Sequence, residues 1–352
     1  MDRPRIHVLI PAHNEEASIA ATLESVAAQQ LPADDVLVIA DNCTDSTALV
    51  AEQHGATVVA TKNNTGKKAG ALNQALAQVL PGMDDNDIIL VLDADSAIAP
   101  EFLAIARAEL AKPEVGAVGG VFYGKGGNGL IGALQRAEYL RYARQVARNG
   151  SHAHVLTGTA TAFSAKVLGQ IAARRKDGSL PPGPGVYYDE RTMTEDSYMT
   201  FAIKTLGYQT PSPAECWVST EVMPTWRMLW RQRRRWQLGA LENLKAFGPL
   251  TRVTWTYTAR QVVSAAELAW FAAYAATTVW GSLNGQYHVL PFWIAIGAIF
   301  WLERIVSVRK GGLKATLMAS IMLIELGYSF FLKAVNLYSY LKLLRNREIS
   351  WS

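Results

Sequence analysis

From Val262 to Leu302 the chain carries a single formally charged residue, Glu267, whereas its first 220 residues hold Asp, Glu, Lys and Arg throughout. Charge partitioned in this way excludes a uniform globule, because one part is written for water and the other for an apolar surrounding. Half of the 352 residues are hydrophobic and only 18% are charged, with a net charge of +4. That much apolar surface collapses, so a disordered chain is excluded, and the length allows about two domains. Cys43 and Cys216 lie far apart without ligand or redox spacing, which argues against a zinc site or a disulfide framework and suits a reduced cytosolic setting. The apolar run Ile6 to Ile10 stops at Pro11 and is too short for a secretory segment, so the N-terminus is expected in the cytosol.

The charged half alternates strand and helix signals. Ile6–Ile10 reads as a buried strand followed by a helix over Ile19, Leu23 and Val26, with first-turn acids from Asn14-Glu15-Glu16. Val36–Ile39 leads into Asp41-Asn42-Cys43-Thr44-Asp45-Ser46-Thr47 and a second helix. Thr57–Ala60 leads into Lys67 and Lys68 and a third helix, and Ile88–Leu92 leads into Asp93-Ala94-Asp95. This spacing predicts a doubly wound, mostly parallel α/β sheet. Ligands of such sheets bind beyond the C-terminal strand ends, where Asp41, Asp93 and Asp95 fall. Two carboxylates one residue apart make a hard oxygen site for Mg²⁺ or Mn²⁺, whose open positions suit a diphosphate. Alone, Asp-x-Asp is more readily a solvated turn.

Order makes the pattern specific. Pro11-Ala12-His13-Asn14-Glu15-Glu16, Asp41 to Thr47, Lys68-Ala69-Gly70-Ala71-Leu72-Asn73, Asp93-Ala94-Asp95, Thr194-Glu195-Asp196 and Gln232-Arg233-Arg234-Arg235-Trp236 follow one another from about residue 6 to about residue 240. In this register they resemble the family 2 inverting glycosyltransferases, in the membrane-bound branch that holds the processive cellulose, chitin, hyaluronan and poly-N-acetylglucosamine synthases and also ceramide glucosyltransferase. The resemblance implies a GT-A type α/β fold with a C-terminal α-helical membrane region. It implies that Asp41 meets the uracil or ribose of a UDP-sugar, with Ala12 and Glu15 lining the nucleotide pocket and Lys68 near the nucleotide. Asp93 would contact the nucleotide sugar, Asp95 would bind the metal, and Asp196, beside Glu195, would be the general base. Gln232 and Arg235 would hold the diphosphate and Trp236 would carry the acceptor sugar. Gly158 and Thr159 fall where the family has its acceptor-side loop.

Displacing a sugar from UDP with inversion requires a base on one face and stabilised diphosphate charge on the other. Asp196 lies in an acidic run with Asp189, Glu190 and Glu195, whose mutual repulsion is expected to raise a carboxylate pKa; its bland alternative is a helix N-terminal acid. Gly124 to Gly129 fits G-x-G-x-x-G but follows four strand units, so a loop is the better reading. His152 and His154 lack a third ligand.

Between Met223 and Arg260 eight basic residues, including Arg227, Arg231 and Arg233, face one acid, Glu242. With Trp226, Leu229, Trp230 and Leu238 forming an apolar face, this describes helices lying on an anionic bilayer rather than a nucleic-acid patch. Apolar segments follow at 262–283, 289–306 and 315–341, about 33, 27 and 40 Å long against a hydrocarbon thickness of about 30 Å. Arg304, Arg309, Lys310 and Lys314 place the loop before the third segment in the cytosol, making the first two a hairpin. The third segment has two readings. A single span would put Lys342, Arg345 and Arg347 outside, whereas a re-entrant or interface-lying end would keep them inside. Glu267, Glu325 and Lys333 face either a polymer path or one another.

The expected organisation is a cytosolic transferase domain over 1–222, interface helices over 223–260 and a multi-pass membrane region over 261–345. The expected activity is transfer of a hexose or N-acetylhexosamine from a UDP-sugar to a growing polysaccharide, with Mg²⁺ or Mn²⁺, no nucleic acid, and an oligomer or partner subunit compatible with it. A non-processive glycolipid-forming enzyme and a catalytically silent membrane scaffold are the alternatives.

Overall fold

A computed structural model describes residues 3–286 and 291–345, with the side chains of 291–293 left aside. The chain divides into two compact units. The first comprises Met1–Gly126 and Tyr142–Val222, the second Gly127–Arg141 and Met223–Ser352.

The first unit is built on β1 (Ile6–Ala12), α1 (Ile19–Ala27), β2 (Asp35–Ala40), α2 (Thr47–Gln53), β3 (Thr57–Ala60), α3 (Lys67–Val79) and β4 (Ile88–Leu92). It continues through β5 (Ala97–Ile98), α4 (Phe102–Leu110), β6 (Ala117–Gly119), β7 (Val121–Gly124), α5 (Gly129–Arg148, whose first part belongs to the second unit), β8 (Ala160–Ser164), α6 (Ala165–Lys176), α7 (Glu195–Thr205) and β9 (Trp217–Thr220). Strands run in the order β3-β2-β1-β4-β8-β6, with β1, β2, β3 and β4 mutually parallel. β8 is antiparallel to both β4 and β6, so the sheet is mixed at that edge. A smaller sheet orders β5-β9-β7. β4 is buried along its whole length and β1 nearly so, as expected of central strands covered on both faces. Side-chain carboxylates secure the strand starts: Asp34 accepts from the Ile6 amide at 2.8 Å and Asp87 from the Arg5 amide at 2.7 Å.

α1 departs from expectation. It begins at Ile19 with no acid in its first turn, because Asn14 takes a positive φ of 57° and turns the chain first. Glu16 instead accepts from the Ser46 amide at 2.9 Å, and the Glu15 amide donates to Thr47 Oγ1 at 2.7 Å. Within 1–222, Gly127–Arg141 belongs to the second unit.

The second unit holds α8 (Trp226–Phe247), α9 (Trp255–Leu283), α10 (Pro291–Val308), α11 (Gly312–Ser320) and α12 (Met322–Leu344) with the first part of α5. α9 is long and apolar enough to cross a bilayer, and its most apolar window is unburied. The apolar segment over 315–341 forms two helices, α11 and α12, with a bend of 91° at the break between them. Trp301 Nε1 donates to the Ser320 carbonyl at 2.9 Å, while the Ile324 amide bonds Ile321 instead, so the helical ladder is interrupted there. Part of the short loop between the first two apolar segments, residues 287–290, and Arg347 lie outside the described residues.

Part of the apolar face of α8 packs on protein, while Trp226 stays 45% exposed. Trp226 and Trp230 approach Phe331 edge-on at 5.0 and 5.8 Å, and Leu229 packs with Ile131, Leu134 and Tyr328. Arg233, expected within the basic belt, is buried against Glu138 at 3.0 Å. Three charges of the apolar segments are paired, Lys333 with Glu267 at 3.6 Å, and Glu325 with Arg141 at 2.5 Å and Arg304 at 3.9 Å.

Candidate active site

The parallel strands bring their C-terminal ends together, and the loops leaving them carry most of the expected residues. The Asp41 amide, just past β2, donates to the Ala12 carbonyl at the end of β1 at 2.8 Å. Asp41 is buried and its Oδ1 accepts from Thr61 Oγ1 and Asn64 Nδ2, both at 2.8 Å. Its orientation is therefore set before any ligand arrives. Glu15 accepts from Ser18 Oγ at 2.6 Å; burial, against that bond and with the charges of Asp95, Glu221 and Asp45, holds its carboxyl above the usual range.

Lys68 organises the centre. At the start of α3 it donates to Asp93 Oδ1 at 2.5 Å and to the Gly158 carbonyl at 2.8 Å, and it pairs with Glu195 Oε1 at 3.2 Å. Burial alone would lower its pKa, but the attraction of Asp93, Glu195 and Asp196 outweighs this and keeps the ammonium charged. Asp93 is pushed up to about 6, by burial first, with Lys68 opposing and the charges of Asp95 and Glu195 adding. The Asp93 amide donates to the Thr159 carbonyl at 2.8 Å, which joins β4 to the loop before β8. Lys68 is thus an acid-cluster residue in this geometry, bonded to two carboxylates and one backbone carbonyl.

Glu195 and Asp196 open α7, so Asp196 stands in a helix's first turn and also lines a pocket. Its Oδ1 accepts from the Ser197 amide at 2.7 Å, and a Cβ at Gly158 would stand 3.3 Å from its Oδ2. Lys68, Gly158, Glu195 and Asp196 line one pocket with Tyr188, over a floor that includes Leu72, Phe163 and Met199. The expected four-acid run divides. Asp189 pairs with Arg191 at 3.3 Å and Glu190 accepts from Asn73 Nδ2 at 3.0 Å, so both shape a loop while Glu195 and Asp196 line the pocket.

Asp95 accepts from Ser96 Oγ at 3.0 Å, and Lys125 Nζ donates to its carbonyl at 2.8 Å. Among the described residues no group of three or more His, Cys, Asp or Glu side chains forms a closed metal cage. Asp93 and Asp95 are a hard-oxygen pair, which fits an ion such as Mg²⁺ or Mn²⁺ that completes its shell with phosphate oxygens. Gln232, Arg235 and Trp236 lie on α8 in the second unit. There Gln232 Oε1 accepts from Arg233 at 3.0 Å, and the Arg233 guanidinium stands 4.2 Å over the Trp236 ring.

A family model described as glycosyltransferase like family 2 matches residues 4–239. The chain belongs to glycosyltransferase family 2. This family 2 chain is 28% identical over 255 residues to the probable glycosyltransferase YdaM of Bacillus subtilis, covering 67% of the chain and 55% of that protein. It is also 28% identical over 248 residues to the poly-beta-1,6-N-acetyl-D-glucosamine synthase of Staphylococcus aureus strain COL, covering 68% and 55%. It therefore spans about half the length of the curated relatives it matches. The mannosyltransferase PcManGT of Pyrobaculum calidifontis, solved with GDP-Man and Mn²⁺, is similar with a TM-score of 0.64 at 21% identity, over 99% of this chain and 89% of that one. That likeness supports a GT-A-like α/β fold.

Two groups at this centre were missed in the sequence. Thr61 and Asn64, which orient Asp41, sit in a polar loop without a distinguishing spacing. Tyr188 follows a Pro/Gly-rich loop, and no periodicity marks it.

Proposed function

We propose that this family 2 chain is a membrane-anchored, inverting glycosyltransferase that moves a hexose or N-acetylhexosamine from a UDP-sugar to a growing polysaccharide. The observation that carries this reading is the carboxylate surplus around Lys68 at the strand ends, with Asp93, Asp95, Glu195 and Asp196 on the same side of the sheet. The likeness to poly-N-acetylglucosamine synthase supports a sugar-polymer product, and the unburied apolar helix α9 supports membrane anchoring.

In this mechanism Asp196 accepts the proton of the acceptor hydroxyl as its oxygen attacks the anomeric carbon. The bond from that carbon to the diphosphate breaks, and its electron pair leaves on UDP. A base on one face and a leaving group on the other give inversion. Asp93 and Asp95 would hold a Mg²⁺ or Mn²⁺ ion, which supplies positive charge to the departing diphosphate. Lys68 keeps Asp93 and Glu195 in place and offsets their repulsion. Asp41, with Ala12 and Glu15, would receive the nucleotide. The roles of Gln232 and Arg235 on the diphosphate and of Trp236, Gly158 and Thr159 toward the acceptor belong to the same proposal.

The test is UDP release from a panel of UDP-sugars by the full chain in membranes with Mn²⁺, followed by product sizing. Release from at least one donor with a ladder or high-mass product is expected. A single lipid-extractable product would replace polymerisation by glycolipid synthesis, and release from no donor would favour a silent scaffold.

A further inference from the structure

The loop between α6 and α7 is irregular, yet buried side chains fix it at several points. Asn73, itself buried on α3, spends its whole amide on this loop. Its Oδ1 accepts from the Tyr187 and Tyr188 amides, each at 3.0 Å, and its Nδ2 donates to the Tyr188 carbonyl and to Glu190 Oε1, each at 3.0 Å. Two acceptor and two donor bonds saturate a carboxamide. Gly185 makes the approach feasible: its φ is +87°, and a Cβ there would lie 2.2 Å from both Asn73 Nδ2 and the Tyr188 carbonyl. Arg175 secures the other end, donating to the carbonyls of Gly183, Pro184 and Gly185 at 3.1, 3.2 and 3.1 Å.

The residue held most tightly by this clamp is Tyr188. It is 3% exposed and lines the pocket with Lys68, Gly158, Glu195 and Asp196. Every hydrogen bond of Tyr188 among the described residues runs through its backbone. Its hydroxyl makes no hydrogen bond among the described residues and opens onto the pocket, where it can donate to an incoming acceptor. Burial, opposed by Lys68 and reinforced by the charges of Glu195 and Asp196, keeps this phenol protonated at neutral pH. The neighbouring carboxylates can only accept, and the Lys68 ammonium is already engaged by Asp93, Glu195 and Gly158. A sugar entering this pocket also presents oxygens that require a donor.

We infer that Tyr188 contacts the transferred sugar, donating its phenol hydrogen to a hydroxyl or acyl oxygen of the donor, and that Asn73 is its positioning residue. This rests on the proposed nucleotide-sugar transfer and adds a specificity-determining contact to it. The arrangement suits such a role because a contact residue must be stiff to discriminate, and here the loop's stiffness comes from a saturated amide on a helix.

The test uses initial rates of UDP release by the full chain with whichever UDP-sugar the panel shows it to consume. Tyr188→Phe keeps the ring and removes the donor; it is expected to raise the donor KM about ten-fold, the effect of one hydrogen bond, with unchanged thermal stability. Asn73→Asp removes both donations and is expected to raise KM similarly. In the double variant the two effects should not multiply, since both act through one hydroxyl. Should Asn73→Asp fail to fold, Tyr188→Phe carries the test alone. Wild-type turnover with an unchanged KM in Tyr188→Phe overturns this assignment and leaves the transferase reading standing. Turnover of no donor by wild type overturns both.

Discussion

Two clusters of charge, one in each unit, are built from similar side chains with opposite balances. In the first unit Asp93, Asp95, Glu195 and Asp196 gather about Lys68, with Lys125 on a backbone carbonyl, so carboxylates exceed ammonium groups by two. In the second unit Arg233 pairs with Glu138, which also accepts from Tyr328 at 2.5 Å, while Arg141 and Arg304 flank Glu325. There the guanidinium groups outnumber the acids. A surplus of carboxylate at a strand end is electrostatically incomplete and gains from a cation and an acid-accepting reaction. A carboxylate paired with arginine has its charge offset and can serve to hold helices in register. Buried charge alone therefore does not mark a reactive centre; its imbalance does.

The largest expected effect tests the reactive side of that contrast. Asp196→Asn keeps the helix start but removes the base, and transfer should fall about 10²–10⁴-fold while donor binding persists. Retained transfer in product assays would remove Asp196 from the mechanism. On the closed side, Arg233→Met leaves Glu138 without its cation. Glu138 keeps 30% of its side-chain exposure, so the loss should be about 2–4 kcal/mol, below the 3–5 of a fully buried pair. Thermal unfolding in detergent reads it, and an unchanged midpoint would show that the pair does not hold α8 in place.

A pH experiment probes the first cluster. Asp93 is pushed up to about 6, above the 3.8 of the unfolded chain. Its contribution is fully present below about pH 4 and is lost as pH rises through 6. Without divalent cation, the stability of wild type relative to Asp93→Asn should therefore decline between pH 4 and 7, as followed by melting temperature. A flat difference would contradict the burial of an acid there. The smallest effect is a plain helix cap: Thr225 Oγ1 accepts from the Met228 amide at 3.3 Å, and Thr225→Ala should cost about 1 kcal/mol with no change in donor KM.

The two clusters were also unequally legible in the sequence. The strand ends were readable because short apolar runs stopped at Asp41 and Asp93, and parallel-sheet geometry puts such residues together. The motif order then added Lys68, Glu195 and Asp196. The closed cluster was not readable, since Arg233 stands in a run of arginines and its partner Glu138 lies 95 residues earlier on a helix with no marked pattern. The same cause hid the use of Asp189 and Glu190: an acidic run has no spacing that says which members face a pocket and which fold a loop. The break at Ile321 was equally silent, because a distant indole, Trp301, takes the carbonyl and neither proline nor glycine stands there. Long-range hydrogen bonds by single side chains leave no local signal.

The central claim, that the carboxylate surplus of the first unit exists to hold a cation with a nucleotide diphosphate, is tested most directly by Mn²⁺ binding in the presence of UDP. Electron paramagnetic resonance of free Mn²⁺ during titration of the full chain gives the affinity for wild type and for Asp95→Asn. The account predicts UDP-dependent binding that weakens at least about ten-fold in Asp95→Asn, the loss of one carboxylate ligand. Equal affinity in the two proteins, or binding indifferent to UDP, would contradict it.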